Sequence, residues 1–138
     1  MTRVVLDASV AVAWFVPEDE DITRAAAEIL DRIVEGELSA VVPELFWFEL
    51  LAVLVRRLPG EGTSSHAVRQ LTDLGFERVA LDPDLAEEAE RLARERRLTG
   101  YDAVYAALAL TTGATWWTLD RSAHDRISDL SISRLITA

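Results

Sequence analysis

The segment Val4-Val5-Leu6-Asp7-Ala8-Ser9 decides the fold, because an apolar run ends at a carboxylate and small residues follow it. The apolar run predicts a strand, and the small residues predict the start of a helix. Burying an unpaired carboxylate is costly enough that a fold protonates it, pairs it or excludes it from the interior. Asp7 therefore marks the end of a strand where a negative charge has to be compensated.

Strand and helix patterns alternate along the whole chain. Apolar strand patterns occur at residues 4–6, 40–42, 78–81, 115–118 and 132–135. Helical patterns with capping, proline or glycine residues near their ends occur at residues 24–35, 43–57 and 85–97. Residues 61–65 are predicted to form a loop. The alternation predicts an α/β three-layer sandwich, in which helices flank a central parallel sheet of four to five strands.

Three further acids stand where solvated surface residues are not expected. Glu49 lies on the apolar face of its helix, Asp102 opens an almost wholly apolar helix, and Asp120 ends the run Trp116-Trp117-Thr118-Leu119. In doubly wound sheets, sites gather beyond the carboxyl ends of the strands. We therefore expect these three carboxylates and that of Asp7 to converge on one pocket.

Each acid taken alone also has a purely structural explanation. Asp102 fits a capping box, Asp7 could be a turn or cap acid, and Asp120 could start the next turn. Glu49 has the weakest explanation of this kind, because a surface glutamate is not expected on an apolar helix face. Asp125 is a second-choice acid, interpreted mainly as a surface residue that pairs with an arginine.

A pocket of four carboxylates requires a counter-charge. Two ionised carboxylates about 4 Å apart repel by roughly 4 kcal/mol at an effective dielectric of about 20, so the group needs protons or a metal. Mg²⁺ or Mn²⁺ suits oxygen ligands better than zinc does, and the chain offers no cysteine and only two histidines. Such an ion could bind a phosphodiester and activate a water for its hydrolysis.

Four segments together resemble the signature blocks of PIN-domain ribonucleases, and they lie at residues 4–9, 43–49, 101–109 and 118–120. Their order and spacing, and the length of the chain, most resemble the VapC-like toxins of bacterial toxin–antitoxin pairs. The resemblance implies a magnesium- or manganese-dependent endoribonuclease that is a homodimer. It also implies a cognate antitoxin, whose basic segment crosses the active-site groove and inhibits the enzyme.

The resemblance assigns roles to individual residues. It implies an acidic quartet that consists of Asp7, Glu49, Asp102 and Asp120. Asp7 and Asp102 are the best candidates for direct or water-mediated metal ligation, and the other two would complete the shell or position water. The hydroxyls of Ser9 and Thr118 match supporting positions near the site. Their alternative roles are those of an ordinary helix cap and an ordinary strand residue.

Composition limits the remaining possibilities. The 138 residues, half of them hydrophobic, predict a single domain over residues 1–138, and the resemblance implies that this domain is PIN-like. No apolar stretch approaches the roughly 18 residues that a membrane span needs, and no signal-peptide pattern follows Met1, so we expect a soluble, cytoplasmic protein without a membrane partner. His66 and His124 lie in polar contexts and are expected at the surface, which argues against histidine-driven catalysis.

The charge of the chain is unusual for a nuclease. The formal net charge is −10, whereas nucleic-acid-binding proteins generally carry basic patches. We expect weak, salt-sensitive RNA binding through local arginines, together with affinity for a basic partner segment. The candidate arginines are Arg94, Arg96, Arg97, Arg121 and Arg126. They could equally form a solvated face that pairs with nearby acids.

Aromatic residues and missing residue types bear on the alternatives. The run Phe46-Trp47-Phe48 could line a partner groove, although core packing explains two of its three rings.

All 14 cationic residues are arginine, which excludes a P-loop and disfavours a phosphoacceptor receiver domain, because both need a lysine. Ser9 replaces the second aspartate of haloacid-dehalogenase-like phosphatases. A catalytically silent PIN-like module that binds a metal or a partner stays open.

Overall fold

The computed structural model describes residues 1–137 and is built on a five-stranded parallel sheet. The strands are β1 (Thr2–Leu6), β2 (Leu38–Pro43), β3 (Glu77–Val79), β4 (Thr115–Thr118) and β5 (Ser133–Leu135). Their spatial order is β3-β2-β1-β4-β5, and every neighbouring pair is parallel. The predicted α/β class with a central parallel sheet is therefore confirmed.

Helices connect the strands and flank the sheet. They are α1 (Ala8–Val12), α2 (Glu20–Val34), α3 (Glu44–Arg57), α4 (Thr63–Asp73), α5 (Pro83–Arg96), α6 (Gly100–Thr112) and α7 (Arg121–Ile127). A short 3-10 turn at Ser128–Leu130 follows α7. Among the helices of residues 1–137, none combines the length and the apolar character that a membrane span requires.

Two predictions need a larger correction, whereas the other predicted bounds of strands and helices lie within two residues of the observed ones. The predicted loop at 61–65 overlaps α4, because Gly62 completes the turn at φ 79°, a left-handed conformation that glycine adopts without steric strain. Helix α2 begins a turn earlier than predicted. The carboxylate of Asp19 accepts a 2.9 Å hydrogen bond from the backbone N–H of Ile22 and so caps the helix at that point.

The central strand, β1, ends at the edge of the sheet where the first predicted acid lies. In β1, Val4, Val5 and Leu6 are each at most 1% exposed. The chain passes from β1 to β2 on one side and later returns to form β4 on the other, so a topological switch point lies between β1 and β4. Asp7 follows β1 directly, and its backbone N–H donates to the carbonyl of Trp117 in β4 at 3.0 Å. This edge is where the first predicted acid lies.

The aromatic run of α3 is divided between the core and the surface. Phe46 and Trp47 are buried, and Phe76 packs against both rings. Phe48 is 70% exposed. The prediction that core packing accounts for two of the three rings is confirmed.

Candidate functional site

An acidic cavity of about 500 Å³ opens at the carboxyl edge of β1 and β4. All four predicted acids line it, and they are Asp7, Glu49, Asp102 and Asp120. Each comes from a different segment: the ends of β1 and β4, the middle of α3 and the first turn of α6. Glu18 and Arg57 also line the acidic cavity, although the sequence indicated no role for either residue.

Asp7 is held at both of its carboxylate oxygens. Its Oδ2 accepts a 3.0 Å hydrogen bond from the backbone N–H of Ser9, so the side chain caps α1. Its Oδ1 accepts a 3.2 Å bond from Nε1 of Trp116 in β4. The cap role foreseen for Asp7 is therefore real, and it fixes the direction of the carboxylate in the acidic cavity.

Glu49 is also oriented by an aromatic residue. The Tyr105 hydroxyl donates a 2.7 Å hydrogen bond to Oε1 of Glu49. The Tyr105 ring stacks on Trp116, with ring centroids 5.5 Å apart and planes at 9°. Sequence reasoning missed both aromatic residues. The available signal was that the Tyr105 hydroxyl and the Trp116 indole N–H lie in an apolar helix and an apolar strand. A buried phenol or indole N–H usually has a hydrogen-bond partner.

Asp102 and Asp120 lie at the first turns of two helices. The Thr99 hydroxyl accepts a 3.1 Å bond from the backbone N–H of Asp102, which confirms the predicted helix start. Asp120 is exposed, and its Oδ1 caps α7 by accepting a 3.1 Å bond from the N–H of Ala123. Capping uses one oxygen of Asp120, and the other accepts no hydrogen bond from residues 1–137.

The two predicted supporting hydroxyls tie the edge of the sheet together. Ser9 Oγ accepts a 3.2 Å hydrogen bond from the backbone N–H of Leu119 and so links α1 to the end of β4. Thr118 is fully buried, and its hydroxyl accepts a 3.0 Å bond from the backbone N–H of Asp120. Both hydroxyls therefore fix backbone segments that carry acids.

The surroundings of Asp7, Glu49 and Asp102 favour the neutral forms of these three carboxyl groups. Burial raises the pKa of the Asp7 carboxyl, although hydrogen bonds from Ser9 and Trp116 oppose the change. Burial also raises the pKa of Glu49, and the charges of Asp7 and Asp102 add to it. The pKa of Asp102 rises through burial and through the charges of Asp120 and Asp7. These couplings place the four acids within electrostatic reach of one another.

No cation of the described chain neutralises the group directly. Within residues 1–137, none of the four carboxylates has an ion pair within 4.0 Å. The charge of Arg126 lowers the pKa of Asp102 slightly against the larger opposing causes. The acidic cavity is therefore a place where an external cation would gain binding energy.

The donor chemistry fits a hard divalent cation, but the ligands do not form a closed cage. In the described residues, no three carboxylate or imidazole groups are close enough together to hold a metal ion by themselves. Mg²⁺ commonly uses only one or two carboxylates and keeps several waters. An open set of oxygen donors, such as Asp7 and Asp102 with their neighbours, is compatible with that mode of binding.

The remaining predicted residues lie outside the acidic cavity. Asp125 is exposed, as predicted, but no arginine among residues 1–137 pairs with it. His66 is exposed, whereas His124 is partly buried and shares a 2.7 Å hydrogen bond with Ser133 Oγ, which corrects the prediction for this residue. The histidines do not line the acidic cavity.

The candidate arginines are mostly engaged elsewhere. Arg94 pairs with Glu90, and Arg96 pairs with Asp129. Arg126 donates a 2.8 Å bond to the carbonyl of Arg97. The solvated-face alternative is therefore confirmed for Arg94 and Arg96.

Comparison with known proteins identifies the family. The family model described as the PIN domain matches residues 4–130, which is nearly the whole chain. The chain belongs to the PIN-domain family. The four acids of this PIN domain all fall within the matched residues. No curated protein is significantly similar to the chain in sequence.

Several solved structures share this PIN fold. A toxin–antitoxin complex from Klebsiella pneumoniae contains a chain 15% identical to this one, with a TM-score of 0.73, and the match covers 97% of this chain and 98% of that one. Mycobacterium tuberculosis VapC20, described as a Sarcin-Ricin loop cleaving toxin, is 20% identical with a TM-score of 0.70 and coverages of 88% and 93%. A protein from Pyrobaculum aerophilum is 25% identical, with a TM-score of 0.65 and coverages of 91% and 84%.

Proposed function

We propose that this PIN-domain protein is an endoribonuclease that requires Mg²⁺ or Mn²⁺ and that it is the toxin of a toxin–antitoxin pair. The single observation that carries the proposal is the acidic cavity itself. Four carboxylates from separate segments line one opening without an arginine paired to any of them. Family membership and the toxins among the proteins of the same fold support this choice over other uses of an acidic site.

The proposed roles follow the positions of the acids. Asp7 and Asp102 would hold the cation directly or through water, and Glu49 and Asp120 would complete the shell or orient the attacking water. When bound, the cation supplies charge neutralisation at the scissile phosphate and lowers the pKa of water. None of the cavity residues is proposed as a nucleophile, because hydrolysis of a phosphodiester can use water.

The residues behind the acids supply orientation. Trp116 and Ser9 hold the Asp7 carboxylate from two sides. The hydrogen bond from the Tyr105 hydroxyl engages Oε1 of Glu49. It therefore limits the directions from which Glu49 can accept a proton or a hydrogen bond from water. Hydrogen bonds of this kind keep a reacting geometry in place before substrate binds.

The proposed partners are an RNA substrate, a cognate antitoxin and a second copy of the chain. The Klebsiella pneumoniae neighbour is a toxin–antitoxin complex, and another neighbour, VapBC2 from Rickettsia felis, was solved with promoter DNA. A net charge of −10 and an acidic cavity favour a basic antitoxin segment. The homodimer rests on family resemblance alone.

A catalytically silent module is the second candidate. It is favoured by the lack of a three-ligand cluster within residues 1–137. Such a protein would bind a metal or a partner at the acidic cavity without cleaving RNA.

One assay separates the two candidates. Purified, partner-free protein is incubated with total cellular RNA in Mg²⁺, Mn²⁺ or EDTA, alongside Asp7→Asn and Asp102→Asn. The nuclease proposal expects cleavage by the wild type with metal and none with EDTA or in either variant. Metal-independent cleavage, or variants with wild-type turnover, would contradict the mechanism. A folded wild type that binds partner but never cleaves would favour the silent module.

A further inference from the structure

Two arginines converge on one tryptophan on the sheet surface beside α2. The guanidinium of Arg134 in β5 lies 4.5 Å from the ring centroid of Trp117, and that of Arg32 in α2 lies 5.8 Å from the same ring. Trp117 is only 6% exposed, so the guanidiniums cover the indole. They border a second opening of about 200 Å³, which we call the basic cavity.

The two guanidiniums are not equally neutralised. Arg32 forms a 3.2 Å ion pair with Glu37. Arg134 has no carboxylate within 4.0 Å in residues 1–137, and the exposed Glu28 lines the basic cavity without pairing with either arginine. Like charges gathered on one ring repel each other, and a bound anion would relieve the repulsion. The delocalised, weakly hydrated guanidinium is well suited to bind phosphate.

A third opening lies between the basic cavity and the acidic cavity and shares lining residues with each. This middle opening, of about 360 Å³, shares Ile22 and Leu119 with the acidic cavity. It shares the segment 135–137 with the basic cavity. Arg121 and Asp19 supply its charged side chains, and the Asp19 carboxylate caps α2. The three openings therefore adjoin one another in the order acids, Arg121, two arginines on Trp117, and we call this series of openings the groove.

We propose that this groove is the path of single-stranded RNA, and that Arg121 and the Arg32–Arg134 pair bind backbone phosphates on one side of the cleavage position. The inference rests on the proposed nuclease function and adds the direction in which the strand leaves the acidic cavity. A strongly acidic protein gains from such an arrangement, because local arginines attract the strand while the overall charge repels it. Trp117 serves as the support for the guanidiniums, since they cover its face and leave little of it for a base.

Binding measurements test the path. Fluorescence anisotropy follows a labelled 20-nucleotide RNA of random sequence, with EDTA present to prevent cleavage, over a range of salt concentrations. Arg121→Gln and Arg134→Gln should each weaken binding several-fold and lower the salt slope by about 0.7, the value for one single-strand phosphate contact. Arg134→Lys should keep most of the slope. Arg69→Gln is the matched control, because Arg69 is exposed on α4 and borders none of the three openings.

The outcomes distinguish the path from the function. If the groove variants bind RNA as the Arg69→Gln control does, while the wild type cleaves RNA, the path is wrong and the nuclease survives. If the wild type neither binds nor cleaves RNA with metal present, the function fails as well. If Arg134→Gln loses binding to a polyglutamate peptide but not to RNA, the basic cavity belongs to an acidic protein segment. Arg121 does not pack on Trp117, so its variant tests the path even if Arg134→Gln disturbs folding.

Discussion

Tyr105 donates a hydrogen bond from its hydroxyl to Glu49 and stacks on Trp116, whose indole N–H donates a hydrogen bond to Asp7. Two of the four proposed catalytic acids are therefore linked through a pair of buried aromatic rings. Tyr105 is 1% exposed and Trp116 is fully buried, so both side chains have one available position. This pair sets the relative placement of carboxylates that lie 42 residues apart in the chain.

Removing the hydroxyl alone should weaken the site without unfolding it. Tyr105→Phe keeps the ring stack but frees Glu49 from its 2.7 Å bond. We expect cleavage activity to fall about 10-fold, the low end for loss of an orienting bond behind a metal ligand, and the metal concentration for half-maximal activity to rise. RNA-cleavage kinetics at varied Mg²⁺ measure both effects.

Tyr101→Phe is the matched control for this change. Tyr101 lies in the same helix, is 66% exposed and does not border the acidic cavity. Its variant should behave as the wild type does. Equal losses in the two variants would show that Tyr105 has no orienting role.

The cap role of Asp120 can be separated from its proposed catalytic role. Asp120→Asn keeps a capping oxygen for Ala123 but removes the charge, so we expect normal thermal stability and a loss of cleavage. Asp120→Ala should lose cleavage and also about 1 kcal/mol of stability. Chemical denaturation and cleavage rates, measured on the same preparations, give the two quantities.

Asp82 provides the comparison. It caps α5 through a 2.8 Å bond from the N–H of Leu85 and lies outside the acidic cavity. Asp82→Ala should therefore lose a similar amount of stability and keep its activity. Full activity in Asp120→Asn would remove Asp120 from the catalytic group.

Stability without metal should depend on pH through Asp7. Burial raises its pKa above the ordinary 3.8, so the folded state binds its proton more tightly than the unfolded state does. Stability from this group is complete below pH 3.8 and is lost as pH rises through the higher folded pKa. In EDTA, Asp7→Asn should therefore gain stability relative to wild type as pH rises above 3.8, and the margin should level off above the folded pKa of Asp7. Thermal unfolding from pH 4 to 8 measures the margin, and a constant difference would contradict the argument.

Added cation should stabilise the wild type. A ligand that binds only the folded state stabilises it by about 2.7 kcal/mol at 100 times its dissociation constant. Mg²⁺ or Mn²⁺ should therefore raise the melting temperature of wild type and leave the Asp7→Asn, Asp102→Asn double variant unchanged. Calorimetry without RNA detects the effect independently of cleavage. An equal shift in both proteins would place the ion elsewhere.

Much of the fold and the set of acids followed from sequence because the signals were local or topological. The strand at 115–118 was predicted with its observed bounds, and Asp7 and Asp120 follow strands that the switch point brings together. Glu49 stood out because its helix neighbours are apolar. The parallel topology accounts for Asp7 and Asp120, whereas Glu49 and Asp102 were placed by their helix patterns and by the family resemblance, and the use of all four in catalysis stays a proposal.

The hydrogen bonds that Tyr105 and Trp116 donate to the acids could not be predicted in the same way. Tyr105 reaches Glu49 and Trp116 reaches Asp7 only because α6, β1 and β4 pack in one particular arrangement. The basic cavity depends likewise on the packing of α2 beside Trp117 and β5. Side-chain direction across distant elements is a property of tertiary packing, which the pattern of one element does not contain.

The hydrogen bond from Leu119 to Ser9 joins positions 110 residues apart. During translation, Asp7 is synthesised long before β4, Trp116 and Asp120. If the protein is the proposed nuclease, a product that stops before β4 would lack part of its acidic site and would be harmless to cellular transcripts. The order of synthesis would then act as a safeguard, because the acidic cavity forms only after segments distant in the chain have docked.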